Sequence, residues 1–441
     1  MASATDPNGN TTAYSYDTLS RNTAVSLNNT NYRTEYKYDG SNRLSGVWHN
    51  VNQVRYGFSY NQFSQRTGVT VGNGANSYNL ASYSYNAKGL PDQQTYGTGQ
   101  TVKTLYDNLD RVIGKQYNGV TANNTVYKAD GQAGIYQDYV ANTRTRYTYD
   151  LSGRLVESKT WSGANADESS AAKRRTAYTY DAQGRLSVTR AENSIGFNRT
   201  FIYGSVASGK SDRLEKVHTG GVDIIVYSYD ALGRVIGRNI PYGTTAYTYE
   251  TVSGTRTSPL LKTVNNKGEV LSYEYDNNGN ITQISKGGVV QQTYTYDGLN
   301  QLVWEYDRAR GKAVQHTYDA GGNLMEKWAY NYLDVPGTGW IATAMVKMDY
   351  YTYGNSIWKD LLTGYNGQSI SYDNIGNPTA YRNNMGMSWT KGKRNNSNLS
   401  VPNVSNATIF LVLNIGFVLM KKIRKQVTDI FKVSNWVCLR T

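Results

Sequence analysis

Residues 147–155 read Tyr-Thr-Tyr-Asp-Leu-Ser-Gly-Arg-Leu, and the fold is predicted from the pattern of this segment. Its Tyr-Thr-Tyr segment alternates with a period of two, which places both rings on one face of a β-strand. Asp150 and Gly153 suit the first and fourth positions of a type I turn, because Asp accepts N–H groups inside the turn and Gly adopts positive φ. Leu155 then begins a second strand, so the stretch predicts a β-hairpin.

The same phrase recurs about every twenty residues, or at about twice that interval, and therefore defines a repeat. The predicted turn residues are Asp150 and Gly153, Asp181 and Gly184, Asp230 and Gly233, Asp276 and Gly279, Asp319 and Gly322, and Asp373 and Gly376. The predicted repeat aromatics are Tyr147 and Tyr149, Tyr178 and Tyr180, Tyr227 and Tyr229, Tyr273 and Tyr275, and Tyr294 and Tyr296. Where Gly is missing, Asn42, Asp110 and Asn300 tolerate the left-handed conformation, whereas Ser20 fits it poorly. A string of such hairpins makes a continuous antiparallel sheet.

Composition indicates what this sheet encloses. Among 441 residues there are 40 Tyr but only 7 Phe, and charged residues make up 18%. A tyrosine ring covers apolar area but keeps a hydroxyl that must be hydrogen-bonded or hydrated, which favours a thin wall over a dry core. Continued coiling also hides sheet edges. We therefore expect an all-β, curved or spiralling antiparallel sheet of hairpins that forms part of a hollow shell.

Several classes of site are not supported by the composition. Cys438 is the only cysteine, so an intramolecular disulfide framework and a thiolate metal cluster are excluded. Nine basic side chains and one acidic side chain in residues 391–441 account for +8 of the net charge of +13. The preceding 390 residues are only mildly basic, so we expect no nucleic-acid partner.

The Tyr-Asp phrases resemble the YD repeats of bacterial Rhs and wall-associated proteins, the B and C components of insecticidal toxin complexes, and the teneurins. The resemblance spans residues 5–394. It implies a β-strand spiral that forms a hollow cocoon and encapsulates a toxin polypeptide. It also implies a secreted or surface-delivered bacterial protein without cofactor, whose partners are the remainder of the shell or a cargo toxin. The family's Asp-Pro-x-Gly self-cleavage motif does not follow Gly392, so self-cleavage and a resident toxin are not carried over.

Two regions with different patterns are predicted. Residues 1–394 are predicted to be a YD-repeat shell fragment, a piece of a longer shell. The segment Met1 to Asn10 shows no signal-peptide pattern. Residues 395–441 form an atypical apolar and basic tail without tyrosine. Three interpretations of the tail stay open. It is a sequence read in a non-native frame, a weak membrane segment at residues 401–425, or a short effector.

Alternative functions were weighed against these motifs. The segment from Asp276 begins like an EF-hand loop, but Ile281 and Gly287 stand where Gly and Glu are required, so we predict no metal site. No catalytic or cofactor-binding residues are predicted, and the chain is not expected to be an enzyme. Cell-wall or carbohydrate binding is the alternative, based on Trp48, Trp161, Trp304, Trp328, Trp340, Trp358 and Trp389, and adhesion through the outer surface is a third option. We expect Arg111, Arg154, Arg185 and Arg234, which follow the turns, to bond to neighbouring repeats.

Overall fold

The computed structural model describes residues 2–27, 32–192, 197–204, 212–253, 256–335, 339–381, 385–390 and 394–395. Within these ranges the chain contains strands, turns and bends, and no helix. The first strands are β1 Ala2–Thr5, β2 Thr11–Tyr16, β3 Asn22–Leu27, β4 Arg33–Tyr38, β5 Leu44–His49, β6 Val54–Tyr60, β7 Arg66–Gly72, β8 Ser77–Tyr85, β9 Pro91–Tyr96, β10 Thr101–Tyr106, β11 Val112–Tyr117, β12 Val120–Tyr127 and β13 Ala133–Asp138. They continue as β14 Thr143–Tyr149, β15 Leu155–Ser162, β16 Arg174–Tyr180, β17 Leu186–Glu192, β18 Phe197–Tyr203, β19 Leu214–Thr219, β20 Val222–Tyr229, β21 Val235–Ile240, β22 Gly243–Ser253, β23 Arg256–Asn266, β24 Glu269–Tyr275, β25 Ile281–Lys286 and β26 Val289–Tyr296. The last are β27 Leu302–Asp307, β28 Lys312–Tyr318, β29 Leu324–Val335, β30 Gly339–Thr352, β31 Gly364–Tyr365, β32 Gln368–Ser369, β33 Ser371–Tyr372, β34 Pro378–Tyr381, β35 Met385–Gly386, β36 Trp389–Thr390 and β37 Arg394–Asn395.

Strands β1 to β32 form one sheet of 32 strands, in which each strand pairs antiparallel with the next one along the chain. Strands β33–β35 and β36–β37 form two smaller sheets. Because the order is a meander, successive turns lie on opposite rims of the large sheet. We call rim A the side with the Asp-led turns from residues 17–21 onward. Rim B is the opposite side and includes the turns at residues 6–10, 49–54, 72–77 and 96–101.

The sheet curves until its later strands reach its first ones. Asn8 Nδ2 donates to Asp276 Oδ2 at 3.1 Å, although the residues are 268 positions apart. Asn52 Nδ2 donates to Asp360 Oδ1 at 2.9 Å across 308 positions, and Gln100 Nε2 donates to the Trp389 carbonyl at 2.9 Å. Rim B of residues 6–101 therefore lies against rim A of the large sheet from residue 276 onward and against the segments that follow β30, as far as Trp389. We call this contact between two windings the seam.

Buried residues are scattered along the sheet, for example Trp161, Ala191 and Val217, but the three largest fully buried side chains lie at this seam. The largest fully buried side chains are Ile375, Val54 and Val71. Val54 and Val71 lie at the rim B ends of β6 and β7, and Ile375 lies in the turn between β33 and β34 of a smaller sheet. Along a strand such as β14 the half-buried tyrosines alternate with exposed residues, as expected for a single curved layer. The predicted all-β, curved antiparallel sheet of β-hairpins is confirmed.

The chain divides into two units, Met1–Ser397 and Asn398–Thr441. The membrane-segment and reading-frame interpretations of the tail concern residues outside the described ranges, apart from strand β37 at its beginning. In the part of the chain that the structure describes, no helix has the length and apolar character needed to cross a membrane.

Candidate functional site: a repeating aspartate, arginine and tyrosine unit

The unit begins with a five-residue segment that we call the Asp turn, exemplified by residues 150–154. Asp150 Oδ1 accepts the N–H groups of Ser152 and Arg154, both at 2.9 Å. The Gly153 N–H donates to the Asp150 carbonyl at 3.0 Å, and Gly153 has φ of 79°. Gly184, Gly233, Gly279, Gly322 and Gly376 have φ of 80°, 86°, 83°, 84° and 79°. The turn therefore consumes the carboxylate of its first residue in its own backbone.

Other residues adopt the same backbone where Gly is missing. Asn42, Asp110 and Asn300 have φ of 64°, 62° and 56°. Ser20, which we expected to fit poorly, also takes φ of 60°. Hydrogen bonds within its turn, from Leu19 N–H and Arg21 N–H to Asp17 Oδ1, hold that conformation. Turn bonding therefore compensates for an unfavourable residue at the fourth position.

The fifth residue of many Asp turns is an arginine that contacts both its own turn and the next repeat. Arg154 Nε donates to Asp150 Oδ2 at 2.7 Å, and its guanidinium lies 4.8 Å from the centre of the Tyr180 ring. The N–H and the guanidinium of Arg154 lower the pKa of the Asp150 carboxyl. The same stacking joins Arg21 to Tyr38, Arg43 to Tyr60, Arg111 to Tyr127, Arg185 to Tyr203 and Arg234 to Tyr249.

This arrangement corrects part of the sequence-based expectation for the arginines. The Nε ion pair is made with the aspartate four residues earlier, because Nε reaches that carboxylate across the turn. Arg185 forms a second ion pair, at 2.7 Å, with Asp212 of the next repeat, as expected from the sequence. Contact with the next repeat is made by the guanidinium face and, in some units, by NH1. For example, Arg43 NH1 donates to the Asn61 carbonyl at 2.7 Å. Charge-assisted bonding and cation–π stacking therefore act on one side chain.

The second tyrosine of each unit closes the link between repeats. Tyr180 Oη donates to the Leu155 carbonyl at 2.8 Å, so it reaches the first residue of the preceding return strand. Equivalent bonds run from Tyr149 to Ala133, Tyr229 to Leu214, Tyr275 to Leu261, Tyr296 to Ile281 and Tyr318 to Leu302. Burial raises the pKa of Tyr275, Tyr296 and Tyr318 to about 12. The polar tip of the ring is thus satisfied inside the wall.

The first tyrosines of the units lie on the same face of their strands. Tyr147, Tyr178, Tyr227 and Tyr273 are half-buried, and Tyr294 is buried, with its Oη donating to Gln292 Oε1 at 2.9 Å. Burial raises the pKa of Tyr147, Tyr273 and Tyr294. Together with the second tyrosines they cover one face of the sheet.

Four Asp turns have Asn as the fifth residue instead of arginine. Asn280, Asn323 and Asn377 donate through Nδ2 to Asp276, Asp319 and Asp373 at 2.8, 2.9 and 2.8 Å. Asn10 makes the equivalent bond to Asp6 at 3.0 Å. The replacement is visible in the sequence, but its structural role is not. A neutral amide therefore takes over the bond to the turn carboxylate.

A separate group of rings, which we call the aromatic array, lies where β27 meets the long hairpin of β29 and β30. Trp304 stacks on Tyr306 with centroids 5.8 Å apart, and Tyr332 stacks on Trp340 at 5.2 Å. Tyr306 also contacts Trp340 at 5.9 Å, and Trp304 contacts Tyr330 at 5.7 Å. All five rings are half-buried. The spacing of two residues places Trp304 beside Tyr306 and Tyr330 beside Tyr332, but nothing in the sequence indicates that the rings of different strands meet.

The polar groups of the repeating unit bond to one another. Its carboxylate, guanidinium and hydroxyl groups form hydrogen bonds with each other or with backbone groups, and these bonds join neighbouring repeats. No group of three or more His, Cys, Asp or Glu side chains is placed to hold a metal ion within the described ranges.

Comparison with known proteins gives a fold but no family assignment. No protein-family model matches the chain. No curated protein sequence matches it either. Among solved structures, the crystal structure of TcdB2-TccC3 matches 87% of this chain at 15% identity with a TM-score of 0.67, and the match covers 22% of that chain. The Tc holotoxin pore of Photorhabdus luminescens matches with the same identity, coverage of this chain and TM-score, over 21% of its own chain.

The protein therefore spans about one fifth of the length of the solved chains that it resembles. A third structure, TcdB2-TccC3 without the hypervariable C-terminal region, has a TM-score of 0.65 at the same identity. The likeness shows that this chain has the fold of these toxin-complex structures.

Proposed function

We propose that the chain is a wall segment of an encapsulating shell in a secreted, toxin-type bacterial protein, and that it has no catalysis of its own. The observation that carries the proposal is the return of the sheet onto itself at the seam. Strands stacked in windings enclose space, whereas a flat sheet of the same length encloses none. The fold likeness to the toxin-complex structures supports the same role.

The repeating unit suits this role for a physical reason. Each repeat contacts its neighbours through a tyrosine hydroxyl and an arginine face, so the wall is stabilised by nearest-neighbour terms, as in other repeat proteins. Such a wall needs no continuous apolar core, and the tyrosine-covered face stays amphipathic. Residues 1–394 are the shell segment in this proposal. Its partners are the remainder of the shell and a cargo polypeptide held inside.

Protease protection tests this function. The full chain would be co-expressed with the polypeptide encoded directly downstream, purified, and treated with proteinase K before and after unfolding in urea. We expect the downstream polypeptide to co-purify and to resist digestion until the wall unfolds. The same polypeptide expressed alone is the control. Digestion at equal rates with and without the chain would contradict an encapsulating role.

Carbohydrate binding is a second candidate, and the aromatic array is the observation that favours it. Sugar rings present apolar C–H faces that stack on aromatic rings, and the array provides five rings in contact at one end of the large sheet. Asp334, which forms an ion pair with Arg308 at 3.5 Å, borders the array and offers hydrogen-bonding groups. In this candidate function the same wall adheres to cell-wall glycan.

Co-sedimentation with purified peptidoglycan sacculi separates the two candidates. If the array binds glycan, Trp340→Ala should greatly reduce the fraction of protein that sediments with sacculi. Tyr242→Ala, at a side chain that is 77% exposed and outside the array, is the matched control. No sedimentation of the unmodified protein, or equal sedimentation of all three, would exclude the array as a glycan site.

A further inference from the structure

The strongest unassigned pattern is the identity of the fifth residue in the Asp turns. We propose that an Asp turn with Asn at this position is a docking surface for a second winding of the sheet, and that arginine at this position opposes such docking. This inference concerns how windings bind each other, and it does not depend on any cargo.

All four turns with Asn lie at the seam. In the turn at residues 6–10, Asn8 donates to Asp276 at 3.1 Å, and Asn278 Nδ2 of the facing turn donates back to Asp6 Oδ2 at 2.8 Å. The turn at residues 319–323 packs against rim B so closely that a Cβ atom on Gly321 would collide with the Asn52 amide. In the turn at residues 373–377, Ile375 abuts the backbone of Gly97.

The turns with arginine behave differently. Their polar contacts stay on the same winding, as in the bond of 2.7 Å from Arg21 NH1 to Asn42 Oδ1 and that from Arg185 NH1 to Asp212, 27 residues away. Among the described residues, five of these arginines form side-chain hydrogen bonds and ion pairs only within their own winding: Arg21, Arg43, Arg111, Arg154 and Arg185.

The third position of the turn shows the consequence most directly. Leu19 and Leu109 occupy it in arginine turns and are 60% and 72% exposed, whereas Ile375 occupies it in an Asn turn and is 0% exposed. The three side chains are of the same apolar class and sit on the same turn geometry. What differs is the fifth residue and the presence of the other winding.

Size and charge explain the difference. The arginine extends from its turn, with its guanidinium over the next tyrosine, and retains contact with water, for example 31% of its side chain for Arg111. A second winding at this rim would remove water from a charged group, which is unfavourable without new partners. Asn is short and neutral and keeps its bond to the carboxylate of its own turn, although Asn280 also donates to Asn300 of the next turn at 2.7 Å. Its small size leaves the third residue able to contact the facing rim. Glutamine occurs in both settings, as expected for a neutral residue. Gln65 donates to the Gly89 carbonyl of its own winding, whereas the turn of Gln301 lies against Asn10 across the seam, since a Cβ atom on Gly298 would meet Asn10 Oδ1.

Hydrogen exchange measured by mass spectrometry on the full chain tests the proposal. Asn377→Arg should accelerate exchange in the facing loop at residues 96–101 by about tenfold or more, while β14 and β15 keep their protection. Asn377→Gln should leave the loop unchanged. Arg154→Asn makes the reverse change of residue type, at an arginine whose bonds among the described residues stay on its own winding, and it should leave all rim B loops unchanged.

A second position keeps the test decisive if Asn377→Arg does not fold. For Asn280→Arg, hydrogen exchange is measured in the loop of residues 6–10. That loop contacts the turn of Asn280 through the hydrogen bonds of Asp276 and Asn278. Faster exchange confined to the facing loop supports the docking role. Unchanged exchange at the facing loop, or equal acceleration by Arg154→Asn, would overturn it.

Discussion

Replacement of Ile375 by Ala tests how much the seam contributes to local stability. Ile375 is 0% exposed, and it sits in a turn where its N–H donates to Asp373 Oδ1 at 3.1 Å. Ala would remove buried apolar atoms and leave a cavity, since the flanking turn is fixed by its own hydrogen bonds. Such substitutions cost about 2–5 kcal/mol. Leu109→Ala is the matched control, because Leu109 has the same turn position but is 72% exposed. We expect that change to stay within about 0.5 kcal/mol.

Native-state hydrogen exchange is the suitable assay, because a repeat wall opens locally and does not unfold in a single step. A loss of about 2–5 kcal/mol corresponds to exchange that is roughly thirty-fold to a few thousand-fold faster. We expect this acceleration at the amide of Asn377, which donates to Asp373 Oδ1 at 2.9 Å, and in the loop at residues 96–101. An effect of Ile375→Ala no larger than that of Leu109→Ala would refute the reasoning that the seam buries this turn.

Three further predictions concern the repeating unit. Tyr180→Phe should lower stability by about 0.5–1.5 kcal/mol, since a carbonyl loses its donor, whereas Tyr242→Phe at an exposed site should not; equal shifts in thermal midpoint would contradict the role of the hydroxyl. Gly279→Ala should lower the free energy of unfolding in urea by about 1 kcal/mol, because φ at this residue is 83° and an added Cβ atom meets only ordinary contacts. Gly40→Ala, at the second turn position, should leave the free energy of unfolding unchanged or raise it. The reverse order would be inconsistent with a left-handed requirement at Gly279. The folded pKa values of the turn aspartates are lowered, so their stabilisation is present above the unfolded pKa near 4 and is lost as pH falls through the folded pKa. The folded pKa values of the wall tyrosines are raised, so their stabilisation is lost as pH rises from about 10 to 12. Thermal midpoints that stay flat from pH 7 to 3 and from pH 9 to 12 would contradict both effects.

The hairpins could be predicted from sequence because every part of the repeat acts locally. Asp150 and Gly153 are three residues apart, and the hydrogen bonds that join them depend only on the turn. The arginine partner was predicted less well, since Arg154 reaches either its own turn or the next one, and only geometry selects Asp150. Local chemistry thus fixes the unit but not all of its links.

The seam could not be predicted from sequence, because it depends on curvature added over many strands. A small change in curvature per strand would shift the partner of Asn52 by a whole hairpin, and no local motif encodes the observed 308-residue offset to Asp360. The aromatic array could be predicted only in part, since Trp304 and Tyr306 are two residues apart on β27, whereas Trp340 approaches Tyr306 through the pairing of several strands. Asn377 was visible in the sequence, but its meaning required the facing loop.

Chemical cross-linking across the seam tests most directly whether the sheet returns on itself as stacked windings. Asn73 Nδ2 donates to the Ser356 carbonyl at 3.1 Å, although the residues are 283 positions apart. In an uncurved sheet the 23 strand steps from β7 to β30 would separate them by about 110 Å. In a variant with Asn73→Cys, Ser356→Cys and Cys438→Ser, a short bismaleimide should join the two cysteines within one chain, seen as a shifted monomer band on a denaturing gel. Absence of this intramolecular product, with both cysteines reactive towards a monofunctional maleimide, would contradict the account.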